Sequence, residues 1–339
     1  MKRILSVLLA VIMIFTITAC SQDPQEKEVD SNQDVSREET SNNDNDDHYP
    51  VSITTYNYQK EPVEITFEEE PEKVLAVYQN SIETLFALGL EDKIVAAAGL
   101  DHDIKDEYKD SFKDVKYYDN PLTKEEVIGI SPDFILSWYS LFGEKNLGDV
   151  DFWHERDINT YIAQNSGIKS PNTLENEYED ILNIGKIFNV EDKAEKIVDN
   201  MKKEIEEAKE FSKDSPSVKT VILEVGSDNM YRIYGEDSIG GNIASKVGAD
   251  LVAKENGNIG AEDLVDLNPE VIFTVYFGDE IGEDDAVANI LDNSSLDSIS
   301  AVKDERVYPI MLSEVYASGI RTLDGIISIS NGLYPEKDR

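Results

Sequence analysis

The sequence has 339 residues, with 31 lysines and arginines against 70 aspartates and glutamates, so its formal net charge at pH 7 is −39. A surface this acidic repels other polyanions, which makes nucleic acids and anionic lipid headgroups poor candidate partners. The single cysteine, Cys20, excludes an intramolecular disulfide bond, and stability must therefore come from a hydrophobic core.

The first twenty residues have the features of a bacterial signal peptide. Two cations, Lys2 and Arg3, precede an apolar run that ends in small residues before Cys20. The run has about sixteen residues, short of the ~20 that a membrane-spanning helix needs. Cys20 stands where a bacterial lipoprotein carries its acyl chains, which would hold the protein on the outer face of the cell membrane. The alternative is an ordinary signal peptide with a chance cysteine.

Residues 21–50 are predicted to form a disordered acidic linker. Between Ser21 and Tyr49 there are ten acidic residues, two basic ones and almost no apolar ones. Such a segment cannot bury enough surface to offset its chain entropy, and its like charges extend it. We expect it to lift a folded domain off the membrane, with His48 exposed to solvent and without a role.

Strands and helices alternate from residue 51 onward. Alternating residues over 51–66 predict a β-hairpin with Pro62 near its turn. The pattern then predicts buried strands at 73–78, 93–99, 134–138 and 159–163, and helices at 82–88, 124–130 and 152–156. This alternation is typical of a parallel sheet covered on both faces.

An internal repeat is the strongest indication of the fold. Residues 125–138 read EEVIGISPDFILSW and residues 262–275 read EDLVDLNPEVIFTV, with Glu, Pro and Ile at matched positions. Each copy predicts a short helix, a turn around the proline and a buried strand. Each also follows an earlier apolar strand, at 73–78 in the first case and 220–225 in the second. Two copies of one α/β lobe explain this better than a chance similarity.

Two helices, over 173–190 and 191–212, are predicted between the lobes. The second places Ala194, Ile197, Val198, Met201, Ile205 and Ala208 on one face. At 1.5 Å per residue, a helix of about 22 residues is ~33 Å long, the width of a small domain. One such helix makes a stiff connection that permits little hinge closure.

The sequence therefore predicts an α/β protein of two similar lobes with mainly parallel sheets, joined by one long helix. The predicted divisions are a signal peptide (1–20), a linker (21–50), an N-terminal lobe (51–172), bridging helices (173–213) and a C-terminal lobe (214–339).

This order of features resembles the cobalamin-, haem- and ferric-siderophore-binding proteins of ABC importers. The segments that carry the resemblance are NSIETLFALG at 80–89, GKIFNVEDKAEKI at 185–197, SAVKDERVYPI at 300–310 and the repeated helix–proline–strand unit. It covers about residues 51–335. It implies a cleft between the lobes, a permease and its ATPase as partners, and no catalytic role, cofactor or resident metal. We expect a monomer.

Ligand contacts are expected beyond the carboxyl ends of the strands. Aromatic faces there suit a porphyrin, a corrin or catecholate rings. A negatively charged chelate would also need local cations, because the overall field of the protein repels it. The candidates are Tyr78, Gln79, Trp138, Tyr139, Arg232, Tyr234, Tyr276 and Arg321. The alternative is that the aromatic residues complete core strands and the arginines pair with nearby carboxylates.

Glu125 and Glu262 occupy matching positions in the repeat. The resemblance implies that they dock onto arginines of a two-fold permease, where rim charges govern encounter and register. The alternative is that each carboxylate only stabilises the N-terminus of its own helix.

Other classes of protein fit less well. A bare Zn²⁺ or Mn²⁺ site needs several histidines with carboxylates, and only His102 and His154 lie in the predicted folded part. The sequence contains no GxSxG, phosphate-loop or HExxH motif, and a lipidated adhesin would lack a ligand cleft. We therefore predict a lipid-anchored protein that captures an iron(III)–siderophore for an ABC importer. Haem, ligated by Tyr78, His102 or a cleft tyrosine, and cobalamin are the alternative ligands.

Overall fold

The computed structural model of the protein describes residues 48–120, 122–213, 216–278 and 281–335. The predicted signal peptide, Cys20 and most of the predicted acidic linker lie outside these residues. The described chain begins with an antiparallel hairpin of β1 (Val51–Tyr56) and β2 (Pro62–Phe67), and Pro62 opens the second strand. Within the described residues, every helix is too short or too polar to cross a bilayer.

The N-terminal lobe is built on a five-stranded parallel sheet. Across the sheet the strands are β5 (Tyr117–Tyr118), β4 (Ile94–Ala98), β3 (Val74–Val77), β6 (Phe134–Ser137) and β7 (Asn159–Ile162). Its helices are α1 (Gln79–Leu88), α2 (Lys109–Phe112), α3 (Lys124–Ile130) and α4 (Asp151–His154). The central β3 is buried on both faces, because Val74 and Ala76 join one hydrophobic cluster and Leu75 and Val77 another. The predicted strands are therefore confirmed, and α1 begins three residues before the predicted helix.

The C-terminal lobe is built on a six-stranded mixed sheet. The strands are β8 (Val218–Val225), β9 (Met230–Ile233), β10 (Ala249–Leu251), β11 (Gly257–Gly260), β12 (Val271–Tyr276) and β13 (Val307–Met311). The helices are α7 (Ile239–Lys246), α8 (Ala261–Leu267), α9 (Glu283–Leu291), α10 (Ser300–Lys303), α11 (Leu312–Val315) and α12 (Thr322–Leu333). β8, β10, β12 and β13 are parallel, whereas the hairpin strand β9 is antiparallel to both of its neighbours, β8 and β11.

The two copies of the sequence repeat form the same joint in the two lobes. In each copy the helix ends at a residue in the left-handed conformation, Ser131 with φ 55° and Asn268 with φ 41°, just before the shared proline. The next carboxylate, of Asp133 or Glu270, accepts a hydrogen bond of 3.0 Å from a backbone N–H, that of Lys73 just before β3 or of Lys219, the second residue of β8. The predicted duplication of the lobe is confirmed.

Two consecutive helices, α5 (Leu174–Ile187) and α6 (Glu191–Ser212), connect the lobes. Near the start of α6, Lys193 Nζ donates to the carbonyl oxygen of Leu88 in the N-terminal lobe, at 2.6 Å. At its other end, the rings of Phe211 and Tyr334 lie 5.6 Å apart, and Tyr334 belongs to the C-terminal lobe. The predicted apolar face of α6 is buried except at Ile197, which is half-buried. One helix therefore spans both lobes.

The expectation that His48 is exposed to solvent is wrong. Its imidazole is 17% exposed, and Nε2 lies 2.8 Å from the carbonyl oxygen of Lys186 at the end of α5. The neighbouring Tyr49 hydroxyl donates to the carbonyl oxygen of Ile187 at 2.7 Å. The last carbonyls of a helix have no partner within the helix, so the chain before β1 satisfies them here.

A buried ion pair joins the two lobes. Arg321, immediately before α12, is 5% exposed, and its guanidinium contacts the carboxylate of Glu83 on α1, which is fully buried, at 2.5 and 2.7 Å. One of the two donating nitrogens also donates a hydrogen bond to the carbonyl oxygen of Asp103 at 2.9 Å. Two parallel N–H···O bonds of this kind fix both distance and orientation between the elements that carry them.

A second buried carboxylate holds the turn before Arg321. Glu177 of α5 accepts hydrogen bonds from the backbone N–H groups of Ser318 (3.3 Å) and Gly319 (2.7 Å). Gly319 has φ 54°, and a Cβ there would lie 2.8 Å from Thr84 Oγ1 on α1. A residue without a side chain is therefore required where this turn meets α1.

Replacing Glu83 with alanine leaves the Arg321 guanidinium buried without its carboxylate. We expect the free energy of unfolding, measured by urea denaturation, to fall by about 3–5 kcal/mol. The matched control is Glu206→Ala, which breaks an exposed pair with Lys209 on α6 and should cost less than about 1 kcal/mol. Equal losses in the two variants would contradict the proposed importance of the buried pair.

Candidate functional site

Three aromatic side chains meet where the two lobes face each other. Tyr78 follows β3 and Trp138 follows β6, and their rings stack with centroids 4.4 Å apart and an interplanar angle of 21°. Tyr316, which follows α11 in the C-terminal lobe, meets the Trp138 ring edge-on at 5.4 Å. All three are half-buried, so the group retains open aromatic surface. We call Tyr78, Trp138 and Tyr316 the aromatic cluster.

The backbone at Tyr78 adopts an uncommon conformation to place this ring. Its φ is 75°, a value that costs a non-glycine residue on the order of 1 kcal/mol. Gly99 allows the arrangement, because a Cβ there would lie 3.1 Å from Tyr78 Cδ1. Trp138 is fixed independently, since its Nε1 donates to Asn80 Oδ1 on α1. Strained backbone persists where the surrounding structure holds it in place, as it does here.

A second set of contacts crosses between the lobes at Tyr276. The rings of His102 and Tyr276 lie 5.6 Å apart, edge to face, and the N–H of Gly278 donates to the carbonyl oxygen of Asp101 at 3.0 Å. Burial, together with the smaller effect of the carboxylates of Glu283 and Glu314, raises the pKa of the Tyr276 hydroxyl to about 12. Tyr276 is therefore a neutral phenol at physiological pH.

The C-terminal side of the site centres on Glu224, at the end of β8. Its carboxylate accepts a hydrogen bond of 2.9 Å from the Tyr234 hydroxyl and lies 3.4 Å from a guanidinium nitrogen of Arg232. Arg232 is 54% exposed and lies 5.1 Å from the centroid of the Tyr234 ring. Arg232, Tyr234 and Tyr316 line a cavity of about 220 Å³, which we call the polar cavity.

A larger cavity of about 350 Å³ lies beside it and is walled mainly by apolar side chains. We call it the apolar cavity. Val225, Val275 and Ala286 lie on its walls, together with Phe277 and Ile281, which are 45% and 38% exposed. Glu224 also lines it. Phe277 and Ile281 are among the few large apolar side chains on the described surface, which is typical of a binding site.

Two of the sequence candidates make internal contacts. Gln79 is 1% exposed, and its side chain donates to Glu83 at 3.0 Å and accepts from the N–H of Asp101 at 3.1 Å. The Tyr139 ring stacks on Tyr58 at 4.6 Å, and its hydroxyl donates to the carbonyl oxygen of Tyr58 at 2.9 Å. We leave both out of the ligand-contacting set proposed below.

Arg321 follows the alternative that the sequence left open, because its guanidinium is buried against the carboxylate of Glu83. Tyr234, another candidate, is 2% exposed, and it lines the polar cavity. Of the eight sequence candidates, the structure thus brings Tyr78 and Trp138 together on one side, and Arg232, Tyr234 and Tyr276 on the other.

Three residues of this region, Glu83, Glu224 and Tyr316, are not among the candidates predicted from the sequence. Glu83 has a recognisable signal, since it is a carboxylate among apolar neighbours on a helix that is buried almost throughout. Glu224 likewise follows the buried apolar run of β8. The Tyr316 side chain carries no such pattern, because its place depends on how the turn after α11 crosses to Trp138.

The two candidate docking glutamates occupy equivalent exposed positions. Glu125 is the second residue of α3 and Glu262 is the second residue of α8. In both helices the following residue, Glu126 or Asp263, makes the hydrogen bond that caps the N-terminus. The capping role therefore belongs to the neighbouring carboxylates.

Among the described residues, no group of three or more histidines, cysteines and carboxylates is arranged to hold a metal ion.

A sequence profile described as "Periplasmic binding protein" matches residues 74–311 of the chain. The chain belongs to this family. A solved periplasmic binding protein from Veillonella parvula is 35% identical, with a TM-score of 0.80 over 86% of this chain and 93% of that one. The chain is also 28% identical to the ABC transporter substrate-binding lipoprotein YvrC of Bacillus subtilis, over 85% of this chain and 87% of the relative.

Other relatives are named for their ligands. The petrobactin-binding protein YclQ of Bacillus subtilis is 26% identical over 74% of this chain and 78% of its own. A protein of an Fe³⁺-hydroxamate transport system from Saccharomonospora viridis shares the fold, at 18% identity and a TM-score of 0.67 over 84% of this chain and 99% of that one. The predicted family and two-lobed fold are confirmed. The protein is a substrate-binding component of an ABC importer, a transport function that involves a permease and an ATPase.

A buried carboxyl close to the interface has a strongly shifted proton affinity. Glu314 of α11 is 8% exposed, and burial, helped by the nearby Asp324, raises its pKa to about 7. Its Oε2 has no hydrogen-bond partner among the described residues. A carboxyl whose pKa is higher in the folded state than in the unfolded chain contributes stability at low pH and loses it as the pH rises toward the folded pKa.

We therefore expect Glu314→Gln to change how stability depends on pH. Between pH 5 and pH 8 the wild-type protein should lose roughly 1–3 kcal/mol of unfolding free energy relative to the variant, because only the wild type must ionise a buried group. Urea denaturation at several pH values measures the difference. A constant offset between the two proteins across this range would contradict the assignment.

Proposed function

We propose that this protein captures an iron(III)–siderophore complex in the cleft between its lobes and delivers it to an ABC import permease. The aromatic cluster is the observation that carries the proposal. Its rings come from both lobes and remain half-open, so that a rigid ligand with flat faces could contact Trp138 from one lobe and Tyr316 from the other. Aromatic faces supply dispersion contacts to such a ligand without requiring charge.

The stiffness of the connection between the lobes fits this role. α6 and the buried Arg321–Glu83 pair resist large rearrangement of the lobes. A preformed cleft loses little conformational entropy when a rigid chelate binds, which favours affinity. We propose that lipid on Cys20 keeps the domain at the extracellular face of the membrane, next to its permease.

Haem or cobalamin is the second candidate ligand. The near-parallel stack of Tyr78 on Trp138 offers a broad flat surface, which favours a planar macrocycle. Spectra separate the candidates, because haem, a corrin and a ferric chelate absorb visible light differently. The first experiment is therefore a titration of the purified protein with each, followed by absorbance and by quenching of the fluorescence of its two tryptophans. Failure of all of them to bind would contradict the proposal.

Removing the indole of Trp138 should weaken ligand binding. We expect Trp138→Ala to raise the Kd by about tenfold or more, and Trp138→Phe to raise it less, because the phenyl ring retains a stacking face. Isothermal titration calorimetry measures both values without relying on tryptophan fluorescence.

The matched control is Trp153→Phe, a change in the fully buried core of the N-terminal lobe. It should leave the Kd within about twofold of wild type, although it lowers stability. An unchanged Kd in Trp138→Ala would refute the role of the aromatic cluster.

We propose that Glu125 and Glu262 are the docking carboxylates for the permease. Reversing both charges, in Glu125→Lys with Glu262→Lys, should abolish ligand uptake by cells and leave the ligand Kd unchanged. The two lysines would repel a basic partner and so prevent the encounter. The control reverses two exposed glutamates of α6, Glu195→Lys with Glu207→Lys, which alters net charge equally. Normal uptake by the Glu125/Glu262 variant would rule out the docking role.

A further inference from the structure

We infer that the cleft selects metal complexes that carry no net negative charge, such as a neutral or singly cationic ferric hydroxamate or a corrinoid, over polyanionic chelates. This inference rests on the proposed function and narrows its ligand class. The evidence is the placement of cations and carboxylates around the aromatic cluster and the two cavities.

The arginines near the cleft are each paired with a carboxylate. Arg232 lies against Glu224, and Arg321 is bonded through two nitrogens to Glu83. A third cation of the region, Lys105, contacts Asp324 at 2.5 Å. Each of these pairs has zero net charge, so none of them supplies the unopposed positive field that a polyanion would need.

Further carboxylates face the same region. The carboxylates of Glu283 and Glu314 raise the pKa of the Tyr276 hydroxyl, and Asp101, which follows β4, accepts a backbone hydrogen bond from Gly278. Burial raises the pKa of Asp101, because removal from water disfavours its ionised form. The exposed Lys60 lies 5.2 Å from the centroid of the Tyr139 ring. It is one cation against the three carboxyl groups just named.

One carboxylate of the apolar cavity is bonded to residues that line the polar cavity. Glu224 lines the apolar cavity and also bonds to Arg232 and Tyr234 of the polar cavity. The apolar cavity is also lined by uncharged side chains, among them Val225, Val275, Phe277 and Ile281. A ligand arm that enters this cavity leaves water and approaches a carboxylate, which favours an uncharged or cationic arm and opposes an anionic one.

Ligand chemistry sets the charge of a ferric complex. Three hydroxamates, each a monoanion, exactly neutralise Fe³⁺, whereas three catecholates, each a dianion, leave a trianion. The protein adds its own formal charge of −39 to this comparison. A trianion therefore loses free energy both in approaching the protein and in entering a cleft whose cations are already neutralised.

The test compares three probes on the purified full chain by isothermal titration calorimetry at low ionic strength. The probes are a neutral ferric trihydroxamate, uncharged cyanocobalamin and a ferric tris-catecholate. We expect one of the two uncharged probes to bind at least about tenfold more tightly than the tris-catecholate. Which of the two binds distinguishes a siderophore from a corrinoid.

Glu224→Gln tests the electrostatic origin of the preference. The glutamine amide can still accept the Tyr234 hydrogen bond, while Arg232 loses its counter-charge. We expect the affinity of the tris-catecholate relative to the uncharged probe to rise about fivefold or more, and the gain to shrink in added salt. Glu207→Gln on α6 removes the same charge elsewhere and should leave this ratio unchanged.

Tighter or equal binding of the tris-catecholate by the wild type would overturn the inference and leave the proposed function standing. An unchanged ratio in Glu224→Gln, or an equal change in Glu207→Gln, would also overturn it. Failure of every probe to bind would instead contradict the proposed function itself, and the inference with it.

Discussion

The buried contact between Arg321 and Glu83 fixes how the two lobes of this protein face each other. Each charge is removed from water, and each is stable there only because the other lobe supplies its partner. Gln79 and the Asp103 carbonyl extend the contact, and Glu177 holds the turn that carries Arg321. The cleft above it thus has a defined width, in which aromatic rings from the two lobes meet.

The helix α6 imposes the same constraint at longer range. It contacts Leu88 near its start and Tyr334 near its end, and its buried face belongs to a hydrophobic cluster that includes residues of both sheets. A continuous helix resists bending more than an extended linker does, because each turn is hydrogen-bonded to the next. The ligand site is therefore largely preformed, and selectivity must come from the groups that line it.

The fold could be predicted from the sequence because its signals are local and repeated. The helix–proline–strand unit at 125–138 recurs at 262–275, and in both copies the carboxylate after the proline, of Asp133 or Glu270, bonds to a lysine N–H at the start of an earlier strand of the same sheet. The site could be predicted only in part. Tyr78 and Trp138 follow apolar strands that the sequence identifies, but the partner of Arg321 lies 238 residues away along the chain. The sequence therefore left open whether Arg321 faces the ligand or pairs with a carboxylate, and it did not identify Glu83 as that carboxylate.

These features together support the proposal that the cleft binds its ligand through flat aromatic contacts and offers it no unopposed charge. The most direct test is the location of the metal in crystals of the complex, from anomalous diffraction at the iron edge, or at the cobalt edge for a corrinoid. We predict a single anomalous peak, with the rings of Trp138 and Tyr316 on one side of it and Glu224 and Arg232 on the other. A peak on the outer surface of either lobe would contradict it.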